Sequence, residues 1–319
     1  MAMKAIIYRA FGTANVLEWV GDWPCPGIGE GEVLVRVQAG SLNPKDILLR
    51  KGRFRPLLDR VPLPRVSGLD MAGVVEEAGP GVTDYRPGDC VFGMTNRFHG
   101  GVHAEFAALN QDEIASMPAG LRFNQAAAIP LAGLTALQAL RDCAGLSEGQ
   151  SVLINGASGG VGHFAVQIAR IMGCRVTAVC GERNLGFVSE LGAEQLVDYQ
   201  QTPAPAVTGP FDCVFDVFGQ YRARDFAESL APDGVYVNTI PKRTTVIAEA
   251  RARLGLGRQS RLVIVHSNSD DLNVLGQWVN EGQLRPHVEK VYPFYHMEDA
   301  HRHIETRHTR GKVVLEATC

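Results

Sequence analysis

Residues 151–162 read S-V-L-I-N-G-A-S-G-G-V-G, an apolar run that leads into a glycine-rich turn. Val152–Ile154 predicts a buried strand, and Gly156, Gly159 and Gly162 follow it. Apolar residues then recur at helical spacing, at Val161, Phe164, Ala165, Ile168, Ala169 and Met172. A strand, a glycine turn and a helix in this order predict a dinucleotide site, since glycine lets the backbone approach a pyrophosphate that helix N–H groups bind. The alternative is a tight connection without a ligand.

The composition is that of an ordinary globular protein. The chain has 319 residues, 45% of them hydrophobic, 20% charged, and a formal net charge of −3. We therefore expect two domains and neither a nucleic acid nor a membrane as partner. The apolar run Ala5–Tyr8 is too short for a secretory signal, and no run reaches membrane-spanning length. Seven scattered cysteines without C-x-x-C spacing favour reduced thiols and a cytoplasmic location.

The pattern of predicted elements changes along the chain. Residues 1–122 read as short strands separated by Gly and Pro turns, which predicts a mostly β domain. Strand and helix signals alternate over residues 123–268, with a helix predicted at Phe226–Leu230, as in a parallel sheet with helices on both faces. Residues 269–319 carry two helix patterns and a terminal strand, Lys312–Glu316, and we expect them to return to the first domain.

Seven segments, spread over nearly the whole chain, resemble a known family. The segments are A-G-S-L-N-P-K-D (Ala39–Asp46), S-G-L-D-M-A-G-V-V (Ser67–Val75), I-P-L-A-G-L-T-A-L (Ile129–Leu137), N-G-A-S-G-G-V-G (Asn155–Gly162), V-D-Y (Val197–Tyr199), G-Q-L-R-P (Gly282–Pro286) and R-G-K-V-V-L (Arg310–Leu315). In these segments the chain resembles zinc-independent medium-chain dehydrogenase/reductases of the quinone oxidoreductase type, especially the reticulon-interacting oxidoreductases and plant alkenal reductases.

The resemblance implies an α/β fold with two domains. One is a GroES-like, mostly β catalytic domain made from both chain ends, and the other is a doubly wound Rossmann domain with a parallel sheet. It also implies NADPH in the cleft and a homodimer. Its expected nucleotide-binding and nicotinamide-facing residues are Asn43, Thr135, Ser158, Gly159, Gly160, Val161, Gly181, Arg183, Tyr199, Thr239, Ile240, His308, Thr309, Arg310 and Lys312. Asn43 is also the expected catalytic residue, near the substrate carbonyl; the alternative for Asn43 is a turn residue before Pro44.

We expect no metal. Zinc-dependent relatives place ligands where this chain has Ser41–Asn43 and Leu69–Asp70, so the thiolate and imidazole that zinc favours are missing there. The four-cysteine structural zinc loop is also missing. Four tail histidines remain, and we interpret them as solvated surface residues: His296, His301, His303 and His308.

The strand that follows the glycine-turn helix ends at Cys180, where NAD-binding folds usually carry an acid for the ribose diol. Arg183 can instead bind a 2′-phosphate, and the resemblance adds Tyr199. This favours NADPH. Glu182 leaves the alternative open, because an inward carboxylate would repel a phosphate and could bind the diol of NADH.

Without a Lewis acid the substrate must itself spread the developing charge. Quinones and α,β-unsaturated carbonyl compounds do so, which predicts hydride transfer from NADPH to them. Phe54 stands where many relatives carry a tyrosine, so solvent becomes the expected proton donor. Two alternatives stay open. One is an enoyl-thioester reductase, favoured by a basic run at Arg50, Lys51, Arg53 and Arg55; the other is a non-enzymatic, structural or regulatory NADPH-binding protein.

The run Arg261–His266 is rich in β-formers and would be the last strand of the parallel sheet. An apolar sheet edge is an aggregation hazard unless it is paired. Relatives pair this edge across a two-fold axis, and we expect the same homodimer here.

Overall fold

The structure is a computed structural model that describes residues 1–55, 61–242, 245, 247, 249, 250 and 259–317. The chain divides into two compact units. The first unit comprises Met1–Leu131, His266–Gly282 and Pro286–Cys319, and the second comprises Ala132–Val265 and Gln283–Arg285. The domain boundaries predicted after residues 122 and 268 stay a prediction.

The first unit is built on two β-sheets. Strands β2-β1-β4 form one, and β15-β16-β3-β5-β6-β8 form the other, with β7 also paired to β3. The pairs are antiparallel except for β15 with β16, which is parallel. The strands are β1 (Ala2–Tyr8), β2 (Leu17–Pro24), β3 (Glu32–Ser41), β4 (Arg65–Val66), β5 (Asp70–Ala78), β6 (Cys90–Met94), β7 (Phe106–Asn110), β8 (Ile114–Ser116), β15 (Val288–Pro293) and β16 (Lys312–Glu316).

The C-terminal strand lies inside this sheet, next to β3. Val314 and Leu315 pair antiparallel with Ser41 and Gly40. Their neighbours on β3, Val33, Val35 and Val37, belong to the same buried hydrophobic cluster as Val313 and Leu315. The predicted return of the tail to the N-terminal region is therefore observed, and it brings residue 312 to the end of β3.

The second unit is built on one six-stranded parallel sheet. Its order is β11-β10-β9-β12-β13-β14, in which β9 lies at the centre and the chain reverses direction across the sheet between β9 and β12. Ligands of such open sheets bind at this reversal, beyond the carboxyl ends of the strands. The strands are β9 (Ser151–Asn155), β10 (Arg175–Cys180), β11 (Gln195–Asp198), β12 (Phe211–Asp216), β13 (Leu230–Asn238) and β14 (Gln259–Leu262).

Seven α-helices lie within the described residues. They are α1 (Pro44–Arg50), α2 (Phe123–Ala127), α3 (Pro130–Leu137), α4 (Gly162–Ile171), α5 (Leu185–Glu190), α6 (Ser269–Asn280) and α7 (Met297–Glu305). The apolar repeat after the glycine turn becomes α4, whose residues 162–169 are all buried. Each residue of β9 is also buried, which explains why that strand lacks polar alternation.

Two element predictions need correction. The strand predicted over Arg261–His266 is β14, which ends at Leu262. The helix predicted over Phe226–Leu230 is a short 3-10 turn that ends at Phe226, and Leu230 already begins β13. Leu230 pairs with Phe211 of β12 and is therefore part of the strand. Gly234, inside β13, packs so closely on these two residues that a Cβ there would clash.

Candidate functional site

The glycine turn of the second unit follows β9 at the chain reversal. Gly156 has φ +89°, a conformation that residues with a side chain rarely adopt. A Cβ on Gly162 would lie 2.1 Å from the carbonyl oxygen of Gly156, so the start of α4 presses directly on the turn. A Cβ on Gly159 would meet only that same oxygen, at the ordinary contact distance of 3.5 Å. The turn is thus compact on its inner side and open at Gly159.

The N-terminus of α4 has no side-chain cap. The first N–H groups of a helix lack partners within it and attract anions. Ser158 lies beside this end, and its hydroxyl accepts a hydrogen bond from the Asn184 amide at 3.1 Å. Ser158, Gly159, Gly160 and Val161, which were predicted to bind a pyrophosphate, therefore lie together at this helix end. Asn184, which connects the turn to the segment after β10, was not predicted.

A buried carboxylate joins the strand ends around the turn. Asp216 accepts hydrogen bonds from the Asn155 amide at 2.9 Å, from the Tyr221 backbone N–H at 2.9 Å and from the Tyr236 hydroxyl at 2.8 Å. Burial raises the pKa of Tyr236 and the charge of Asp216 raises it further, so the phenol remains a donor. Asp216 thereby ties β9, β12 and β13 together where the ligand is expected.

The segment after β10 brings three predicted residues close together. A Cβ on Gly181 would lie 3.4 Å from the ring of Tyr199, whose exposed fraction is 46%. Arg183 is exposed on the short 3-10 turn that follows Gly181, and Glu182 is exposed beside it. The structure therefore places an arginine and a tyrosine near the end of β10, where a ribose with its substituents would lie.

Two further predicted residues follow β13. The Thr239 hydroxyl donates to the carbonyl oxygen of Val217 at 2.7 Å, and the Ile240 N–H donates to the Asn238 side chain at 3.1 Å. Both residues are therefore held at the carboxyl ends of β12 and β13. Thr135 is buried on α3 in the same unit.

The first unit contains a buried polar cluster around Asn43. The Asn43 amide nitrogen donates to Asp70 Oδ2 at 2.9 Å, and its Oδ1 accepts from the Lys312 ammonium at 2.6 Å. Asp70 also accepts from the Ser41 hydroxyl at 2.6 Å and from the Leu131 N–H at 2.8 Å. Asn43 is 2% exposed and Lys312 is 3% exposed. The structure thus joins two predicted residues, Asn43 and Lys312, directly, and both also contact Asp70, to which no role had been given.

A second carboxyl group lies beside this cluster. Asp46, on the first turn of α1, accepts from the Asn43 backbone N–H at 2.8 Å. Burial raises the pKa of Asp46 to about 7, and the charge of Asp70 adds to this, whereas the Asn43 N–H and the Lys312 charge oppose it. Burial lowers the pKa of Lys312, although Asp70 and Asp46 oppose this shift.

The tail residues fall into two groups. His308 is exposed, while Thr309 and Arg310 are half-buried before β16. The prediction that all four tail histidines are solvated is wrong for His301, which is 1% exposed on α7. Burial, with the charge of Arg50, lowers the pKa of His301 to about 3, so this histidine is neutral. It lies on the buried face of α7 with Met297 and Ala300.

The basic run near α1 differs from the expectation. Arg50 is buried and pairs with Glu305, and Lys51 lies 3.2 Å from the same carboxylate. Arg53 and Arg55 are exposed, and no ion pair of either residue is among the described contacts. Phe54 packs edge-on against Phe98 at 5.2 Å between ring centroids, with the Lys45 ammonium 4.6 Å from the centre of that second ring.

The fold and these two sets of residues define a two-unit dehydrogenase. An alcohol dehydrogenase GroES-like domain model matches residues 29–119, and a zinc-binding dehydrogenase model matches residues 191–315. The predicted fold class, a GroES-like domain with a Rossmann-type parallel sheet, is confirmed.

Similar proteins agree with these domain matches. The chloroplast envelope quinone oxidoreductase homolog of Arabidopsis thaliana is 33% identical over 98% of each chain. The chloroplastic NADPH-dependent alkenal/one oxidoreductase of the same plant is 32% identical over 98% of this chain and 79% of its own. The quinone oxidoreductase structure from Coxiella burnetii superposes with a TM-score of 0.89, at 33% identity over 100% of both chains. The chain belongs to the medium-chain dehydrogenase/reductase family, among relatives of the quinone oxidoreductase type.

Two features are absent from the described residues, a membrane-spanning helix and a metal-binding group of side chains. Across residues 1–55, 61–242 and 259–317, no helix is both long and apolar enough to cross a membrane. Over the same part of the chain, no three His, Cys, Asp or Glu side chains are grouped as a metal site would require.

Proposed function

We propose that the protein is a zinc-independent, NADPH-dependent oxidoreductase that reduces quinones or α,β-unsaturated carbonyl compounds. The observation that carries the proposal is the glycine turn between β9 and α4. It lies at the chain reversal of the parallel sheet, and Gly162 leaves no room for a side chain where the helix starts. The names of the relatives, quinone oxidoreductase and alkenal/one oxidoreductase, support the substrate class.

The nicotinamide, when bound, supplies a hydride to an electron-poor carbon. The chain holds the nucleotide through Ser158, the backbone of residues 159–161 and the N-terminus of α4. Thr239 and Ile240 line the nicotinamide side from the carboxyl end of β13. On the substrate side, Asn43 offers an amide N–H to the carbonyl oxygen, whose negative charge grows as hydride arrives. Solvent supplies the proton, since Phe54 cannot.

NADPH is proposed over NADH because Arg183 and Tyr199 lie near the end of β10, where Cys180 replaces the usual acid. A guanidinium bond to a 2′-phosphate contributes about 1.5–3 kcal/mol, which is at least about tenfold in affinity. Glu182 is exposed and can turn to water. Titration of both nucleotides against the wild type and Arg183→Ala tests this. Equal or tighter NADH binding by the wild type would assign Glu182 to the ribose diol instead.

Activity is tested by following NADPH absorbance with a simple quinone, an enal and an enoyl thioester. We expect turnover with the first two. Turnover of the thioester alone would establish the second candidate, an enoyl-thioester reductase. The structure weakens that candidate, because Arg50 and Lys51 are already paired with Glu305. NADPH binding without turnover of any of them would point to the non-enzymatic alternative.

Zinc independence is proposed from the donors that meet in the first unit. Leu69 is apolar and fully buried, and the Asn43 amide is bound on both polar atoms. The Lys312 ammonium, 3.6 Å from Asp70, would also repel a divalent cation. We expect no zinc by elemental analysis and no effect of chelators. Stoichiometric zinc that leaves together with activity would refute this.

A homodimer through the edge of the parallel sheet is the proposed assembly. Ile264, just beyond β14, is 78% exposed, whereas Val263 is buried in its own unit. Ile264→Lys is therefore the sharper test, since a charge at Val263 would disturb folding. Light scattering is expected to show a dimer for the wild type and monomers for the variant. A monomeric wild type would refute the assembly.

A cytoplasmic location is proposed on the cysteines. The six that the structure describes are all free thiols, as expected in a reducing compartment. The similar plant proteins are named as chloroplastic, so fractionation of cells with an antibody to this chain decides the compartment.

A further inference from the structure

The Asn43 amide has only one allowed orientation. Its Oδ1 faces the Lys312 ammonium, which can only donate, and its Nδ2 faces Asp70 Oδ2, which accepts. Rotation of the amide by 180° would set donor against donor and acceptor against acceptor. Both contacts are buried, where an unmatched polar pair is costly. The cation and the carboxylate therefore fix the direction of the amide together.

The Lys312 ammonium is engaged inside the Asn43 cluster. It donates to Asn43 Oδ1 at 2.6 Å and to the Leu42 carbonyl oxygen at 3.1 Å, and it lies 3.6 Å from Asp70 Oδ2. Two hydrogen bonds and one ion pair thus hold the cation against its own unit. Its position is also fixed by the backbone, because Lys312 begins β16, which pairs with β3 just before Asn43. The geometry is that of a side chain turned inward, toward Asn43.

We propose that Lys312 is the positioning residue of the reaction, an internal cation that orients and polarises the Asn43 amide rather than a ligand of the nucleotide. A cation bound to the oxygen of an amide draws electron density from the nitrogen, which strengthens its N–H donors. The Asn43 nitrogen carries two hydrogens and gives one to Asp70. The second is the donor for the substrate oxygen, and this assignment rests on the function proposed above.

Lys312→Met tests the proposal, with Lys290→Met as the matched control. Lys290 lies on the neighbouring strand β15, opposite Val313, but is exposed. We expect Lys312→Met to lower kcat about ten- to a hundredfold, somewhat less than loss of a direct oxyanion donor. The Kd for NADPH, measured by fluorescence titration, should stay within about twofold, since the ammonium is directed toward Asn43, Leu42 and Asp70. Lys290→Met should change neither quantity. An unchanged kcat, or a large loss of NADPH affinity in Lys312→Met, would overturn the proposal.

A double variant separates positioning from charge balance. Lys312→Met alone leaves Asp70 buried without a counter-charge and can impair folding. Lys312→Met with Asp70→Asn removes both charges and is expected to fold, yet to keep the low kcat. Recovery of wild-type kcat in the double variant would mean that Lys312 only neutralises Asp70, and the proposal would be wrong.

A spectroscopic measurement tests the positioning role of Lys312 independently of the proposed function. Amide spectra of ¹⁵N-labelled protein, with Asn43→Asp to assign the side-chain pair, report the Asn43 environment without any substrate. We expect the pair to shift and exchange faster with solvent in Lys312→Met. Unchanged resonances would overturn the positioning role. A wild-type protein that turns over no quinone, enal or thioester would refute the proposed function and the substrate contact, while these spectra still decide whether Lys312 holds the amide.

Discussion

The glycine turn of the second unit and the Asn43 cluster of the first unit are held in shape by different kinds of contact. The glycine turn of the second unit is a backbone site, whose shape depends on the absence of side chains at Gly156 and Gly162. The Asn43 cluster of the first unit is a side-chain site, whose shape depends on buried charges at Asp70 and Lys312. A site shaped by backbone atoms tolerates changes in charge but not in side-chain volume. A cluster of buried charges tolerates small changes in volume but not the loss of a charge. Four substitutions test this contrast.

The largest expected effect is on the charged cluster. Asp70→Asn leaves the volume almost unchanged but removes the counter-charge of Lys312. It also sets an NH₂ against donors in either orientation, those of Ser41 and Asn43 or that of the Leu131 backbone. Breaking a buried ion pair costs about 3–5 kcal/mol, so we expect a large drop in the free energy of unfolding. Urea denaturation measures it. Asp22→Asn, at an exposed position of β2, should stay within about 0.5 kcal/mol of the wild type. A similarly small change for Asp70→Asn would contradict the contrast.

A smaller loss of stability is expected at the glycine turn. In Gly162→Ala, the new methyl group would meet the Gly156 carbonyl oxygen, and such overpacking costs about 1–3 kcal/mol. Because the turn must shift, NADPH binding should weaken as well. The control is Gly186→Ala on α5, where a Cβ meets nothing within 4 Å. There alanine should stabilise by about 0.5–1 kcal/mol, with unchanged binding. Calorimetry and fluorescence titration check both variants; equal behaviour would refute the packing argument.

A pH-dependent effect is expected from Asp46. Its folded-state pKa of about 7 lies above the ordinary value. The folded protein therefore holds this proton more tightly than the unfolded chain, and the associated stability is lost as pH rises through 7. Relative to Asp46→Asn, the wild type should lose about 1 kcal/mol between pH 6 and pH 8. Paired urea denaturation at the two pH values measures this difference. A constant difference would show that Asp46 is ionised throughout.

The smallest effect is expected at Asn184. Asn184→Ala removes the donor to the Ser158 hydroxyl, and a neutral hydrogen bond contributes about 0.5–1.5 kcal/mol. We expect NADPH affinity to fall about two- to tenfold, with little change in kcat at saturating nucleotide. Fluorescence titration and steady-state kinetics separate the two quantities. A lower kcat with unchanged affinity would place Asn184 outside the nucleotide site.

The glycine turn could be predicted because its residues lie in one continuous stretch of sequence. Gly156, Gly159 and Gly162 lie within one short stretch, and the flanking strand and helix have clear periodicities. The same holds for the parallel sheet, whose alternating elements are visible in order. The strand predicted over Arg261–His266 ends four residues too late, because its apolar run continues past Leu262, where pairing with β13 stops.

The Asn43 cluster could not be predicted in the same way. The cluster comes from four separate segments, which strand pairing and the Leu131–Asp70 hydrogen bond bring together: Ser41–Asn43, Asp70, Leu131 and Lys312. The resemblance named Asn43 and Lys312 but did not reveal that they touch each other. His301 shows the same limit, since a histidine among charged residues reads as exposed until the helix that carries it is seen packed against the sheet.

The pairing of β16 with β3 also sets an order of events during synthesis. The Lys312 ammonium and the Asn43 oxygen are 269 residues apart in sequence. On the ribosome, N-terminal segments emerge and fold first. The strands of the second unit, β9 to β14, can therefore pair while β3 still lacks one neighbour. The contacts of Lys312 with Asp70 and Asn43 can form only after β16 has left the exit tunnel. A nascent chain therefore forms the glycine turn of the second unit before the Asn43 amide is oriented.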